Sequence, residues 1–172
     1  SGGSSSGVGN SNLIASMVHF VGNIFGPGNL DGSVSEAAFY GPRGMAADSA
    51  GNIFVADNAN GTIRKIDPLG MVSTLAGSPG EFGRADGRGS AARFEEPYGI
   101  AVALGNIYVT DIYAHAVRKI TSDGTVSTLA GQLDEAGTAD GTGVGARFTF
   151  PTSIATDKLG NVYVVDRYGT SI

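Results

Sequence analysis

The chain has 172 residues, with 28 glycines, 6 prolines, no cysteine and no tryptophan, a composition typical of a turn-rich protein and unlike a helical bundle. Eleven Lys and Arg residues against 16 Asp and Glu residues give a net charge of −5, which argues against nucleic acid as a partner. The lack of cysteine excludes thiol catalysis and thiolate metal sites, and no apolar run is long enough to predict a membrane partner.

The N-terminal segment is rich in Gly, Ser and Asn. Residues 1–12 have the composition of a flexible leader or a cloning remnant, so we leave them out of the fold prediction and treat 13–172 as the folded region. The first predicted strand is 17–22, with the sequence MVHFVG. It precedes the similar segment 72–77, VSTLAG, by 55 residues.

Three copies of one pattern follow this strand. Asp57, Asp111 and Asp166 are spaced by 54 and 55 residues, and each ends a similar run, GNIFVAD, GNIYVTD or GNVYVVD. The same offset aligns a proline, a phenylalanine and an Asp-Gly pair in every copy. These are Pro42, Pro97 and Pro151; Phe39, Phe94 and Phe148; and Asp31, Asp86 and Asp140. A fixed period of this length predicts a repeat architecture.

Each copy is predicted to contain four short strands separated by hairpin turns. Val, Ile, Tyr, Phe and Thr dominate the strands, whereas Gly, Asn, Asp and Pro mark the turns. The first two strands are apolar on both faces, as expected of strands stacked between neighbouring sheets. The third strand carries Arg64-Lys65 or Arg118-Lys119, so we expect it to meet solvent in part.

The repeat resembles those of NHL-repeat proteins, with runs such as PYGIAVA, GNIYVTD, VRKI and VSTLAG. It is most similar to a bacterial variety with a long A-D-G-x-G-x-x-A-R-F-x-x-P loop before each inner strand, found here at 85–97 and 139–151. The first copy departs from this motif and reads LDGSVSEAAFYGP. The resemblance implies an all-β fold: a β-propeller with three four-stranded blades in this chain. It also implies a bacterial origin and a secreted or periplasmic location.

The two ends of the repeat array complement each other. Residues 17–22 are expected to form an outermost strand without its blade, and the third copy is expected to contain its first two strands and only the start of the third. Because known propellers have four or more blades, we expect a C2 homodimer with six blades, closed by strand exchange between the two chains. The alternative is a fragment of a longer six-bladed chain.

Candidate functional residues are those that differ between the copies, since the shared residues build the blade. The expected mouth of the axial channel is at the loops before the inner strands and at the hairpins after the second strands. The predicted ligand-binding residues are Arg43, Glu95, Tyr113, Thr152 and Tyr168; the predicted catalytic residues are Glu96, Tyr98 and His115; the predicted metal ligands are Glu95 and Glu96. The repeated Asp57, Asp111 and Asp166 are instead expected to fasten the hairpin turn that follows each of them.

Two functions remain open at this point. The first is a binding scaffold that presents its loop-rich face to a small molecule, peptide or glycan. The alternative is a metal-assisted hydrolase of small esters, lactones or phosphotriesters. Six-bladed relatives of this fold include calcium-dependent enzymes of that kind, so the resemblance implies a divalent cation such as calcium as the cofactor. Arg43 and Thr152 stand where a metal site of that type would place ligands, which favours the scaffold.

Overall fold

The computed structural model describes residues 26–168, and this part of the chain is all-β with antiparallel pairing throughout. Three sheets follow one another along the chain. The first contains β1 (Pro42–Ala47), β2 (Ile53–Asp57), β3 (Thr62–Ile66) and β4 (Val72–Ala76). The second contains β5 (Gly87–Arg88), β6 (Pro97–Ala103), β7 (Asn106–Asp111), β8 (Ala116–Ile120) and β9 (Thr125–Ala130). The third contains β10 (Pro151–Thr156) and β11 (Val162–Asp166).

The strand order confirms the predicted four-stranded unit in the first two copies. The first sheet runs β1-β2-β3-β4, and the second runs β6-β7-β8-β9 with the two-residue β5 added beside β9. In the third copy the described residues form the β10-β11 pair. Segments 17–22 and 169–172, on which the predicted strand exchange and homodimer depend, lie outside the described residues, so these two expectations remain predictions.

Asp-based turns connect the first two strands of the first and third copies. Asp48 accepts hydrogen bonds from the backbone N–H groups of Ala50 and Asn52, and Asp157 does the same for Leu159 and Asn161. Gly51 lies in the left-handed region at φ 85°, a backbone conformation that residues with a side chain rarely adopt. The Asp-x-x-Gly spacing therefore sets the turn, and the turn fixes the register of the following strand.

The main apolar core lies between the first two sheets. The aliphatic side chains of Ile63, Ile107 and Ile120 are at most 2% exposed there. Phe94, in the loop that leads into β6, is 0% exposed and packs into the same cluster. A loop residue of the second copy therefore helps to join the two sheets, as the recurrence of phenylalanine at this position suggests.

The prediction that the third strands meet solvent in part holds for their lysines and is wrong for their arginines. Arg64 on β3 and Arg118 on β8 are both 0% exposed. Each guanidinium bonds to two aspartates and two backbone carbonyls of its own copy, so its charge is neutralised inside the protein. The following Lys65 and Lys119 are more exposed, which agrees with the alternation of side chains along a strand.

Neighbouring sheets approach most closely at their first strands, where β6 lies between β1 and β10. A Cβ atom on Gly44 would lie 2.5 Å from the Tyr98 carbonyl oxygen, and one on Gly99 would lie 2.3 Å from the Thr152 carbonyl oxygen. The Thr110 hydroxyl spans the second contact, since it donates to the Thr152 carbonyl at 2.7 Å and accepts the Gly99 N–H at 2.8 Å. Glycine is thus required for the spacing of these strands.

We expect Gly99→Ala to lower the free energy of unfolding by about 1–3 kcal/mol, because the added methyl group would push β6 away from β10. Urea unfolding followed by circular dichroism measures the loss. Gly145→Ala is the control, because a Cβ atom there has no neighbour within 4 Å. Equal stability of the two variants would contradict the close approach.

Candidate functional site

An open cavity of about 380 Å³ lies where the first strands of the three sheets begin; we call it the mouth cavity. The residues at the start of β1, β6 and β10 line this cavity, so each copy contributes corresponding positions of the repeat. The lining residues are Pro42, Arg43, Gly44, Tyr98, Gly99, Thr152 and Ser153. The proline begins the strand, where its missing N–H is not needed for the ladder, and the next residue differs in each copy.

Arg43 and Tyr98 give the mouth cavity its chemical character. The Arg43 guanidinium carbon lies 5.5 Å from the centroid of the Tyr98 ring, a separation at which a cation is attracted to the aromatic face. Arg43 is exposed and forms no ion pair with any of the residues in the range 26–168. The cavity therefore presents a cation beside the hydroxyl-bearing side chains of Thr152 and Ser153.

A second group of side chains gathers around Arg84, in the loop before β5. Its Nε atom lies 3.6 Å from a carboxylate oxygen of Glu95, and the guanidinium also pairs with Asp134. The Nη2 atom donates to the backbone carbonyl of Tyr113 at 3.2 Å. Arg84 thus ties the loops of the second copy to the loop that leads into the third.

Phe150 is the centre of an aromatic cluster beside this group. Its ring contacts Tyr113 at 5.5 Å, His115 at 6.0 Å and Tyr168 at 5.1 Å between centroids, each edge to face. His115 has a positive φ of 54°, and its Nδ1 lies 2.7 Å from the carbonyl oxygen of Thr149. These contacts join the hairpin after β7 to the loop before β10.

The predicted site residues fall into two sets. Arg43, Tyr98 and Thr152 meet in the mouth cavity. Glu95 and Tyr113 are linked through Arg84, while Tyr113, His115 and Tyr168 surround Phe150. The side chain of Glu96 makes no hydrogen bond or ion pair with another residue of 26–168, and its backbone N–H binds Asp111. The predicted catalytic residues Glu96, Tyr98 and His115 thus make their contacts with separate neighbours.

Two residues of these clusters escaped prediction, namely Arg84 and Phe150. Both occupy repeat positions where the copies differ: Arg84 stands opposite Asn29 and Thr138, and Phe150 opposite Gly41 and Glu96. Glu95 was selected because it differs between the copies, and the same criterion would have identified Arg84 and Phe150 if it had been applied to the whole loop. The contacts of both residues extend from one copy to the next, which the repeat pattern alone does not show.

The recurring aspartates are structural, although not in the way expected. Asp57, Asp111 and Asp166 accept backbone N–H groups of the loop that precedes the first strand of their own copy. In the first copy Asp57 also accepts the side-chain N–H of Asn60 in the turn that follows it, at 2.8 Å. Burial raises the pKa of Asp111 to about 6, against the lowering effects of the Glu96 N–H and the Arg118 charge. Burial also raises the pKa of Asp57. The side chains of Asp57 and Asp111 are both 0% exposed, so neither carboxylate is accessible to a ligand.

Within residues 26–168, no three His, Cys, Asp or Glu side chains come together in a set that could hold a metal ion. Glu95 faces Arg84, and Glu96 follows it directly in the loop before β6. Asp31 and Asp86, the aspartates of the first two Asp-Gly pairs, bind the buried arginines and a threonine of the outer strand. In the first two copies these carboxylates are therefore engaged by a guanidinium of the same copy.

Models of two repeat families match parts of the chain. The NHL repeat matches residues 39–66, and a beta-propeller repeat matches residues 142–165. The first match covers the loop and the first three strands of the first sheet, and the second covers β10 and most of β11. The comparison with curated proteins gives no significant match.

Several solved structures are similar to the described fold. A protein of unknown function from Bacteroides thetaiotaomicron is 33% identical over 70% of this chain, with a TM-score of 0.64. An auxiliary nutrient binding protein from Bacteroides ovatus is 26% identical over 77% of the chain, with a TM-score of 0.65. A protein of the same description from B. thetaiotaomicron is 22% identical over 80% of the chain, with a TM-score of 0.69.

The chain spans about a third of the length of these structures, with coverages of 31%, 36% and 37%. No helix among the described residues has the length and hydropathy needed to cross a bilayer. The two repeat matches, together with the antiparallel four-stranded sheets, support the relationship of this chain to the NHL and β-propeller repeat proteins.

Proposed function

We propose that the chain is a binding scaffold that holds a small ligand in the mouth cavity. One observation carries the proposal. Three consecutive first strands each contribute a different residue, Arg43, Tyr98 or Thr152, to the lining of the same open cavity from the same repeat position. A repeated framework with differing side chains at its centre is the arrangement by which a scaffold acquires a specific site.

The side chains of the mouth cavity favour a ligand that carries both a carboxylate and hydroxyl groups, such as an acidic sugar. Arg43 offers a forked set of donors that suits a carboxylate, and the Tyr98 ring supports the guanidinium from one side. The Ser153 hydroxyl can donate to and accept from a sugar hydroxyl, and the Thr152 hydroxyl, which donates to the Val165 carbonyl at 3.3 Å, can accept one. Because the chain as a whole carries a net charge of −5, Arg43 is a site of local positive charge on an acidic protein.

The similarity to Bacteroides structures supports binding as the function. The relative from B. ovatus is described as an auxiliary nutrient binding protein, and the chain matches 36% of its length. We carry over from it the general activity of binding a nutrient, and with it a secreted or periplasmic location. Peptides and other small molecules remain within the wider class of ligands that the sequence predicts.

The proposal is tested by titrating the protein with D-glucuronate and, in parallel, with D-glucose, using calorimetry. We expect glucuronate to bind more tightly, and Arg43→Met to weaken its binding about tenfold or more, because the carboxylate would lose its charged partner. Arg88→Met is the matched control, since Arg88 is an exposed arginine paired with Asp123 and is not part of the cavity lining. Equal affinity for both sugars, no binding at millimolar glucuronate, or unchanged binding by Arg43→Met would overturn the proposal.

The metal-assisted hydrolase stays a prediction from the sequence, with Glu95 and Glu96 as its metal ligands and Glu96, Tyr98 and His115 as its catalytic residues. The C2 homodimer with six blades has the same standing. Neither is needed for the binding function proposed here, because Arg43, Tyr98, Thr152 and Ser153 all belong to one chain.

A further inference from the structure

A cavity of about 150 Å³ lies between the first and second sheets; we call it the lower cavity. Its lining comes from strands β2, β3, β6 and β7 and from turns at one end of the two sheets. The mouth cavity is lined where β1 and β6 begin, whereas the lower cavity is lined by Asp48, just after the end of β1, and by Val102, near the end of β6. The two cavities share no residue, so the lower cavity is a separate candidate site.

The floor of the lower cavity is apolar. Phe54 on β2 is 6% exposed and Ile107 on β7 is 2% exposed, and both belong to the core cluster between the two sheets. Val102 packs against the same cluster from β6. A ligand that places a small apolar group on this floor removes that group from water, which favours binding.

A lysine on the wall of the lower cavity gives it a positive charge. Lys65 lies opposite Phe54 in the pairing of β2 with β3 and is partly buried. The ion pairs among residues 26–168 do not include Lys65. From the second sheet, Ser122 adds an exposed hydroxyl to the same lining. An ammonium and a hydroxyl can both donate hydrogen bonds, and together they suit a carboxylate.

An aspartate of the same lining retains part of its capacity to accept hydrogen bonds. The Oδ1 atom of Asp48 accepts the backbone N–H groups of Ala50 and Asn52, and its Oδ2 atom accepts the Asn52 side-chain amide at 2.7 Å. Since each carboxylate oxygen can accept about two hydrogen bonds, Oδ2 has room for one further donor. The Asn52 amide, and less strongly the charge of Lys65, hold the pKa of Asp48 below its usual range, so the carboxylate is ionised at neutral pH.

The corresponding place between the second and third sheets is filled by a side chain. A Cβ atom on Gly160 would lie 2.6 Å from the Cδ1 atom of Leu104, so the leucine covers this glycine. Gly105 is the counterpart of Gly160 in the second copy, and a Cβ atom there has no neighbour within 4 Å. Ala50 precedes Gly51 as Leu104 precedes Gly105, so the first copy has a methyl group where the second has a longer side chain. The open space beside Gly105 is therefore not repeated at the next interface.

We propose that the lower cavity binds a small zwitterionic amino acid such as alanine. The ligand's carboxylate pairs with Lys65 and Ser122, its ammonium donates to Asp48, and its side chain lies on the floor formed by Phe54 and Ile107. The volume of about 150 Å³ limits the size of this side chain, because a protein cavity of that volume holds a molecule of roughly six non-hydrogen atoms, such as benzene. Alanine has the same number of non-hydrogen atoms.

A zwitterion fits the lower cavity better than a ligand with a single charge does. A simple carboxylate would pair with Lys65 but would be repelled by Asp48, and it would leave the spare acceptor of Asp48 without a donor. A simple amine would pair with Asp48 but would be repelled by Lys65. Only a ligand with both charges matches both side chains, and it adds no net charge to the cavity.

Three probes of similar size test the proposal, namely L-alanine, propionate, which lacks the ammonium, and isopropylamine, which has a methyl group in place of the carboxylate. Each is titrated into the 172-residue protein and followed by the backbone amide signals in heteronuclear NMR, which report both affinity and location. The same titrations use Lys65→Met and, as the matched control, Lys119→Met. Lys119 lies opposite Tyr108 on β8 as Lys65 lies opposite Phe54 on β3, and it is not part of the lower cavity.

We expect alanine to shift the amide signals of Gly105 and Ser122, and to bind about tenfold or more tightly than propionate or isopropylamine. Lys65→Met should weaken alanine binding by a similar factor, whereas Lys119→Met should leave it unchanged. Equal affinity for alanine and either analogue, equal binding by wild type and Lys65→Met, or no shift of these signals at millimolar alanine would overturn the proposal. Glucuronate binding at the mouth cavity is a separate readout, so the two proposals fail independently.

Discussion

Arg118→Met is expected to lower the free energy of unfolding by about 3–5 kcal/mol, as the removal of one partner from a buried ion pair does. Methionine fills much of the volume of the arginine side chain but donates no hydrogen bond. Asp111, which is 0% exposed, would lose its cation, and the carbonyls of Ala85 and Arg93 would each lose one donor. Chemical unfolding in urea at neutral pH measures the loss.

Two further variants show whether burial and the planar guanidinium account for this loss of stability. Arg88→Met removes an exposed arginine whose Nε lies 3.4 Å from Asp123, and we expect it to cost less than about 1 kcal/mol. Arg118→Lys keeps the charge but lacks the planar fork, so it should recover only part of the stability. A loss for Arg118→Met as small as that for Arg88→Met would show that the buried network contributes little.

Phe94→Ala is expected to cost about 3–5 kcal/mol, the range found when a large aromatic side chain is removed from a core. Phe94 is 0% exposed, packs into the cluster between the first two sheets, and faces the guanidinium of Arg118. The substitution opens a cavity at the joint between two copies and also removes the aromatic face of a buried cation. Thermal and urea unfolding of the variant measure the combined effect.

Phe82→Ala serves as the control for this second variant, because Phe82 lies in the same loop and is 49% exposed. We expect its loss of stability to be a small fraction of that of Phe94→Ala. Similar losses for the two would mean that Phe94 does not connect the sheets. An intermediate effect of Phe94→Leu would show that apolar volume accounts for part of the contribution and the aromatic ring for the rest.

Much of the fold is predictable from the sequence because the repeat multiplies weak signals. A single run such as GNIYVTD is compatible with many strands, but three copies at spacings of 54 and 55 residues define the unit, its turns and its strand order. The four-stranded sheets agree with this prediction. The two-residue β5 was not predicted, since its pairing with β9 depends on how a long loop crosses the sheet.

The burial of Arg64 and Arg118 was not predictable from local pattern. An Arg-Lys pair in a strand usually indicates a solvated face, and here only the lysine follows that rule. The carboxylates that compensate Arg118 are Asp111 on the neighbouring strand and Asp86, which lies 32 residues earlier. Recurrence of both acids and the arginine at one offset was the available signal, and it required comparison of whole repeats.

The candidate site was predicted in part for the same reason. Residues that differ among otherwise similar copies pointed to Arg43, Tyr98 and Thr152, and the structure brings these three together. The clusters around Arg84 and Phe150 depend on contacts between successive loops, and the direction of a loop side chain is not encoded in the periodicity. The grouping of Glu95 with Arg84, and of His115 with Phe150, therefore needed coordinates.

At the start of the first strands β1 and β6, three consecutive residues serve two purposes: packing against the neighbouring sheet and lining the mouth cavity. In the first two copies the proline begins the strand, and the glycine two positions later, Gly44 or Gly99, allows the neighbouring strand to approach. The residue between them lines the mouth cavity. Because the close approach at Gly44 and Gly99 is made to backbone carbonyl oxygens, exchange of the middle residue leaves this approach intact, although it removes the contact between Arg43 and Tyr98. A library randomised at codons 43, 98 and 152 would therefore sample new specificities on an unchanged framework, with each copy contributing one variable position.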